Sequence, residues 1–217
     1  MHFGETLSEE RYQSSIRCAY EAGIRTFVTA EVYGTGRADQ ALGEALAGYD
    51  RDSYCLVGLL GHDFYKGDRQ GISGYPRFTD PKLRGAGEYH SYLRMTCEKS
   101  LENCRTDHFD LVMLHNPDEL GYTSEAVWQA MENLRSEGLA ERLGIAPGPA
   151  NGFTLDMVQA FETFASSIDW AMIILNPLEP WPGQFVLEAA KKNNIDILTR
   201  VWIMVGFFMM IFGARMI

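Results

Sequence analysis

The stretch that decides the fold is residues 24–46, IRTFVTAEVYGTGRADQALGEAL. It opens with the apolar run Ile24–Val28, which is typical of a buried strand, and continues as a polar loop at residues 31–37. After the loop, apolar side chains recur at helical spacing. Strand, loop and helix in this order form one βα unit, and the loop after the strand is where folds built from such units place their chemistry. The helical apolar face consists of Ala41, Leu42, Ala45 and Leu46.

Two phrases in this stretch carry a resemblance to a known family. Residues 27–36 read FVTAEVYGTG, and residues 42–46 read LGEAL. Together they resemble the aldo-keto reductase family, in which a strand typically ends F-D-T-A-x-x-Y-G-x-G and LG-x-AL follows. One letter departs from the family pattern, because Val28 stands at the position of the family's catalytic Asp. Tyr33 matches the family's Tyr, and the glycines beside it let the backbone bend away from it.

The composition predicts one ordered globular domain. The chain has 217 residues, of which 46% are hydrophobic and 12% aromatic, and this is enough for a substantial core. The net charge of −10 argues against nucleic acid as a partner, because binding phosphates requires clustered Lys and Arg. The N-terminal residues show no secretion signal, and the four cysteines lack C-x-x-C spacing, which predicts reduced thiols in a cytoplasmic protein. They are Cys18, Cys55, Cys97 and Cys104.

Nearly continuous apolar segments alternate with helical segments along the rest of the chain. This alternation predicts parallel strands covered by helices. The predicted strands are Ile24–Val28, Ser53–Leu60, Phe109–Leu114, Arg142–Ala146, Trp170–Leu175 and Ile195–Thr199, and helices are predicted at residues 7–22, around residues 41–46, and at Glu88–Asn103, Ser124–Glu137, Leu155–Ser166 and Gln184–Asn193.

The resemblance continues in the same order along the chain. Residues 110–115, DLVMLH, match a family-like D-L-x-x-L-H phrase, and residues 176–178 match N-P-L. Aldo-keto reductases are eight-stranded (β/α) barrels, so the resemblance implies an α/β fold of the (β/α)8 TIM-barrel type. On that plan this chain covers strands two to seven and lacks the first and eighth. Because such a barrel has two exposed parallel edges, we interpret the sequence as part of a longer parent.

The tail from residue 201 to residue 217 does not fit the preceding pattern. Residues 1–200 are predicted to form the partial barrel, whereas VWIMVGFFMMIFGARMI is almost wholly apolar and has no period. It is too short to span a membrane, which needs ~20 apolar residues. A buried strand and helix is one hypothesis. The other is an aberrant tail produced by a frameshift, because a shifted reading frame permits the polar loop Val-Asp-Tyr-Gly-Gly. In neither case do we expect a separate domain.

The resemblance implies hydride transfer between NAD(P)H and a carbonyl, performed by an Asp, a Tyr, a Lys and a His. Tyr33 would be the proton donor and His115 would orient the carbonyl. Val28 and Leu59 occupy the positions of the lost Asp and Lys. The loss of both charges together is compatible with a stable fold, because a buried Asp or Lys without its partner costs several kcal/mol. The phenol, with a reference pKa near ~10, then lacks the cation that eases its deprotonation, so we expect weakened chemistry.

Further candidates lie at the ends of other predicted strands. His62 is a possible substitute acid or base, and Lys66 is the nearest lysine to the vacant position. An equally open alternative is that His62 and Asp63 only cap the long insert Phe64–Gly87. An insert of this length is usually a lid or a binding loop. We expect the strand ends to converge on one face, with Tyr33 and His115 in one cleft.

Substrate and cofactor contacts are assigned less fully. Val32, Asn116 and Asn176 are predicted to line the pocket for a small-molecule carbonyl substrate. The resemblance implies NADP or NAD as cofactor, without a preference between them. The family's Ser-Asn pair falls on Ala146-Pro147 and its Gln on Met172, so the cofactor-binding residues stay unassigned. The natural substrate and the oligomeric state are also left open.

Two other classes of function remain. One is a metal-dependent barrel hydrolase or isomerase. The other is a non-catalytic pseudoenzyme or binding barrel, which the degenerate tetrad also permits. The favoured interpretation is an impaired reductase, for which we expect no metal site and no association with a membrane. The metal ligands in the first alternative would be Glu31, His62, Asp63, His115 and Asp118.

Overall fold

The computed structural model describes residues 8–71, 74–148, 153–178 and 180–200. Within these ranges, parallel strands form one six-stranded sheet whose spatial order is the order of the chain. The strands are β1 (Thr26–Ala30), β2 (Cys55–Leu60), β3 (Phe109–His115), β4 (Ala140–Ala146), β5 (Trp170–Ile174) and β6 (Asp196–Arg200).

Helices connect successive strands and pack on one face of the sheet. The sheet curls into part of a barrel, and the fold is an incomplete α/β barrel of the TIM type, as predicted. The helices are α1 (Glu9–Glu21), α2 (Arg37–Leu46), α3 (Tyr89–Cys104), α4 (Glu119–Thr123), α5 (Glu125–Ser136), α6 (Thr154–Phe164) and α7 (Gly183–Lys192).

The sheet has two apolar faces because successive side chains of a strand point to opposite sides. The outer face joins the helices in the large core, which includes Phe27, Leu56 and Trp128. The inner face forms a second, smaller group of buried side chains, which we call the inner cluster. Val32 and Tyr33 pack against it, so the loop after β1 sits over the barrel interior. The inner cluster consists of Ala30, Val57, Leu59, Leu111, Met113, Ala146 and Met172.

The glycine of the LGEAL phrase, Gly43, lies where two helices approach each other closely. A Cβ atom at this position would lie 2.4 Å from the carbonyl oxygen of Asn103, at the end of α3. Only glycine allows this approach, so α2 and α3 pack closely behind β1 and β2.

Most element boundaries differ from the prediction by one or two residues, and strand β1 is Thr26–Ala30 instead of Ile24–Val28. Two further differences have a visible cause. The helix predicted at Ser124–Glu137 is preceded by the extra turn α4, because the Asp118 carboxylate accepts the N–H of Gly121 and caps a segment too short to show a period. Strand β4 begins two residues before the predicted Arg142, where Ala140 pairs with Phe109 of β3. Both differences come from contacts that periodicity does not report.

The apolar tail, Val201–Ile217, lies outside the described residues. In the part of the chain that is described, no helix is long and apolar enough to cross a membrane. All four cysteines are free thiols.

Candidate active site

Polar side chains gather where the strands end, and several of them are buried. Glu31 follows β1, His62 follows β2, His115 ends β3 and Asn176 follows β5. Each is at most 5% exposed to solvent. Because parallel strands end on one side of the sheet, these groups share one rim over the inner cluster.

Tyr33 and His115 lie together on this rim, as predicted. The loop after β1 turns sharply, with φ of 62° at Gly34 and 93° at Gly36, and the Tyr33 amide donates to the carbonyl of Ala30 at 2.9 Å. The Tyr33 and His115 rings meet edge to face, with centroids 5.7 Å apart and planes at 89°. A small substrate held here would face both groups.

His115 is a buried, neutral imidazole. Burial lowers its pKa well below the ordinary value, and the charges of His62, Arg77 and Arg200 lower it further. Its Nδ1 atom has no hydrogen-bond partner among the described residues. A neutral imidazole carries one N–H donor and one acceptor, so His115 can donate a hydrogen bond to a carbonyl oxygen without transferring a proton.

The Tyr33 phenol holds its proton more tightly than a free phenol. Burial raises its pKa, the charge of Arg200 opposes this, and the charge of Glu31 adds to it. Arg200 ends β6 and donates from Nη2 to the carbonyl oxygen of Pro147 at 2.8 Å and to that of Gly148. Arg200 is therefore a cation that favours the Tyr33 phenolate, although the balance of these effects leaves the pKa above its ordinary value.

The two positions predicted to have lost the family's charges, Val28 and Leu59, lie on the inner face of the sheet. Val28 pairs with Val57 across the β1–β2 ladder, and Ala30 pairs with Leu59. Since side chains alternate, Val28 shares the face of Ala30, which belongs to the inner cluster with Leu59. Val28 is 42% exposed and Leu59 is 3% exposed. The aliphatic side chains of Val28 and Leu59 thus lie near each other on the inner face. The resemblance predicts that other members of the family have an ion pair at these two positions.

His62 is held on both its backbone and its ring. Its carbonyl accepts the Tyr92 hydroxyl at 2.8 Å, and its ring Nδ1 lies 3.0 Å from Arg77 Nη1. The ring centroid is 4.8 Å from that of His115. Burial first, and then the charge of Arg77, lower the pKa of His62 to about 4. His62 is therefore also neutral at physiological pH.

Glu31 holds the backbone at His62 through hydrogen bonds. Its Oε1 atom accepts the N–H of Gly61 at 2.8 Å and that of His62 at 2.9 Å, while Oε2 is buried without a partner. Burial raises the pKa of Glu31 to about 8, although these two hydrogen bonds act in the opposite direction and Asp39 adds to the increase. The carboxyl group is mostly protonated at neutral pH.

The acidic residues suggested for a metal-dependent reaction have structural partners. Asp63 is ion-paired with Arg84, and it accepts the backbone N–H groups of Tyr65 and Lys66. Asp118 accepts the Thr79 hydroxyl at 2.5 Å and caps α4. Across the described ranges, no group of three or more His, Cys, Asp or Glu could hold a metal ion. The donors of that alternative are therefore not assembled.

The remaining predicted site residues are placed as follows. Lys66 lies in the exposed turn after β2. Asn116 follows β3 with φ of 46°, a left-handed conformation that Asn tolerates better than most residues. Asn176 Oδ1 accepts the Leu178 N–H at 2.9 Å and shapes the loop after β5. Their roles, and that of Val32, stay predictions.

Sequence reasoning missed two arginines. Arg200 carried a usable signal, since it is a charged residue at the end of an apolar strand of a (β/α) unit. Arg77 carried none. It lies within the long insert and reaches the rim through an isolated antiparallel bridge with His62, which only the folded chain shows.

Comparisons with known proteins identify the family and the fold. A model of the aldo/keto reductase family matches residues 1–210. The D-threo-aldose 1-dehydrogenase of a Pseudomonas species is 26% identical over 201 residues, which are 88% of this chain and 59% of that protein.

Two solved structures show the same fold. One is aldo-keto reductase AKR11C1 from Bacillus halodurans in its holo form, with a TM-score of 0.69, 22% identity, and coverage of 89% of this chain and 58% of that one. The other is an aldo/keto reductase from Klebsiella pneumoniae in complex with NADP and acetate, with a TM-score of 0.67, 19% identity, and coverage of 92% and 61%. The chain thus spans between 58% and 61% of the length of these three proteins.

Proposed function

This chain belongs to the aldo/keto reductase family, and on that premise we propose that the protein reduces a small aldehyde or ketone with NAD(P)H. Tyr33 donates the proton and His115 orients the carbonyl. The observation that carries the proposal is the edge-to-face contact of the Tyr33 and His115 rings, 5.7 Å apart at the ends of β1 and β3. We place the protein in the cytoplasm, because its four cysteines are free thiols and thiols stay reduced there.

The residues around the rim fit the nicotinamide end of the cofactor. Ala146 and Met172 form part of the apolar inner cluster below the rim. Arg200 is bound to the carbonyl groups that follow Ala146, and its Nε–H is buried without a partner among the described residues. The NADP complex of the Klebsiella protein supports a nicotinamide cofactor here. When bound, the cofactor supplies the hydride, and the chain's own groups supply the proton and the hydrogen bonds.

We expect the reaction to be slow. The Tyr33 pKa is raised by burial, and no lysine of the described residues is among the groups that lower it. Arg200 provides the opposing charge, but its guanidinium is bound to the carbonyl groups of Pro147 and Gly148. A phenol that holds its proton tightly is a weaker general acid at neutral pH.

Replacing Tyr33 with Phe should reduce the turnover of the 217-residue chain by ~100-fold or more, because general acid catalysis contributes at least this much. The measurement is initial-rate NADPH oxidation with a panel of aldehydes and ketones, beside NADPH titration by fluorescence. Tyr49→Phe is the matched control, since the Tyr49 hydroxyl binds Glu21 at 2.6 Å on the outer surface.

The two measurements separate the possible failures. An unchanged rate in Tyr33→Phe would contradict the role of the phenol. NADPH binding without turnover in the wild-type chain would favour a binding barrel instead, since the lost charge pair fits that alternative. Absence of NADPH binding would contradict the proposed function as a whole.

A further inference from the structure

His62 and Arg77 form a contact at the rim that the reaction described above does not use. We propose that Arg77 is a positioning residue that keeps His62 in one neutral tautomer, with the proton on Nε2, so that His62 presents a second N–H donor beside His115. The tautomer follows from contacts within the chain. Its use toward a carbonyl rests on the proposed function.

Arg77 is brought to the rim by the insert between β2 and α3. An isolated antiparallel bridge joins it to His62, and its Nε donates to the carbonyl oxygen of Asn116. Its Nη1 donates to the carbonyl oxygen of Tyr75 at 2.9 Å and lies 3.0 Å from His62 Nδ1. A guanidinium has no acceptor, so Nδ1 must accept and therefore carries no proton. In a neutral imidazole the proton is then on Nε2.

The contact of His62 with Asn116 is compatible with this tautomer. Its Nδ2 lies 3.4 Å from His62 Nε2, while its Oδ1 is buried without a partner. If Nε2 carries the proton, turning the carboxamide by half a turn gives the N–H an acceptor and gives Oδ1 its missing donor. The same turn places the amide nitrogen where the oxygen had no partner, so the contact with Asn116 is compatible with the tautomer and the contact with Arg77 decides it. At 3.4 Å the hydrogen bond is weak, which leaves the N–H available to a substrate oxygen.

Burial and the charge of Arg77 keep the His62 ring neutral, because they outweigh a hydrogen bond with the Tyr75 backbone that raises the pKa of His62. Arg77 is a cation next to Nδ1, and the neutral His115 ring lies on the other side. Glu31 contacts the backbone N–H and not the ring, and its carboxyl group is mostly protonated at neutral pH. No described carboxylate thus stabilises an imidazolium at this position, and the charge of Arg77 opposes it.

The chemical consequence is a pair of neutral donors at the rim. Negative charge builds on the carbonyl oxygen as hydride arrives, and fixed N–H groups stabilise such charge. His62 and His115 would share this task, each keeping its proton, while the proton that completes the alcohol comes from Tyr33. His62 would then act as a hydrogen-bond donor and not as the substitute proton source suggested by its position in the sequence.

The test is nitrogen-15 NMR of the imidazole rings in the 217-residue chain, without cofactor or substrate. Two-bond proton–nitrogen correlations distinguish the two neutral tautomers and the cation, and the absence of the His62 signals in His62→Gln assigns them. We expect His62 to be in the Nε2–H form throughout pH 5.5 to 8. A cationic ring or an Nδ1–H form in the wild-type chain would overturn the proposal, whatever the outcome of the activity assays.

Variants of Arg77 test its role directly. Arg77→Met keeps the length of the side chain but removes the charge, so the His62 pKa should rise by about one unit or more and the tautomers should mix. Arg77→Lys should restore much of the wild-type spectrum. Arg69→Met, an exposed position of the same insert, is the matched control and should change neither. A His62 spectrum that is the same in wild type and Arg77→Met would contradict the proposal, and if Arg77→Met does not fold, Arg77→Lys and the wild-type spectra still decide it.

Discussion

Writing the lost charge pair back, as Val28→Asp together with Leu59→Lys, should raise NAD(P)H-dependent carbonyl reduction by ~100- to 10,000-fold, the usual range for general acid–base assistance. The two positions lie on the inner face of neighbouring strands, where Val28 pairs with Val57 and Leu59 lies two residues further along β2. A lysine there would place a cation near the Tyr33 phenol and lower the pKa that burial now raises.

The single changes should do less, and their costs should differ. Leu59 is 3% exposed, so Leu59→Lys alone buries an ammonium without a partner and should destabilise the chain by several kcal/mol. Val28 is 42% exposed, so Val28→Asp alone should be tolerated better. Rates and chemical denaturation are measured for all three variants, and Val28→Asn with Leu59→Met serves as the uncharged control.

Two results would contradict this prediction. If the double variant binds NADPH but stays at the background rate, Val28 and Leu59 are not the positions of the lost pair. If the gain survives the addition of Tyr33→Phe, the phenol is not the proton donor that the new lysine assists.

The order of the strands could be predicted because strands buried on both faces appear in the sequence as continuous apolar runs. The runs around Leu56 and Val112 are of this kind, and each lies in a strand of the sheet. Strand β1 is buried on one face only, since Val28 is 42% exposed. Short capped segments do not produce such a signal. Helix α4 depends on one side chain, Asp118, and on its contact with Gly121.

The candidate site likewise has a part that the sequence predicts and a part that it does not. Tyr33 and His115 belong to continuous phrases next to strands, so their meeting at the rim follows from the order of the strands. The contact of Arg77 with His62 depends instead on the path of a long insert, which no local pattern specifies. The burial of Glu31 likewise depends on the loop after β2, whose backbone N–H groups close over its carboxyl group. The missed interactions are those made between loops.

Glu31 leads to the second large effect, which is on stability. Burial raises its pKa from 4.5 to about 8 in the folded chain, so between these values the folded state binds a proton that the unfolded state lacks. The contribution of Glu31 to the free energy of unfolding then falls as pH rises, by about 1.4 kcal/mol per pH unit. The stabilisation is complete below pH ~4.5 and is lost as pH approaches 8.

Glu31→Gln should remove this dependence, because the amide keeps an oxygen for the N–H groups of Gly61 and His62 but does not ionise. Relative to wild type, the variant should gain on the order of 4 kcal/mol in unfolding free energy between pH 5 and pH 8. Urea denaturation at intervals across this range measures the difference. The neutral His62 and His115 are present in both proteins, so their contributions largely cancel. The charge of Asp39 is part of what raises the Glu31 pKa, so its effect belongs to the difference that is measured. Glu98→Gln, an exposed carboxylate paired with Arg94 at 2.9 Å, is the control and should show an almost flat difference. A flat difference for Glu31→Gln as well would mean that the Glu31 carboxyl group ionises as freely in the folded chain as in the unfolded one.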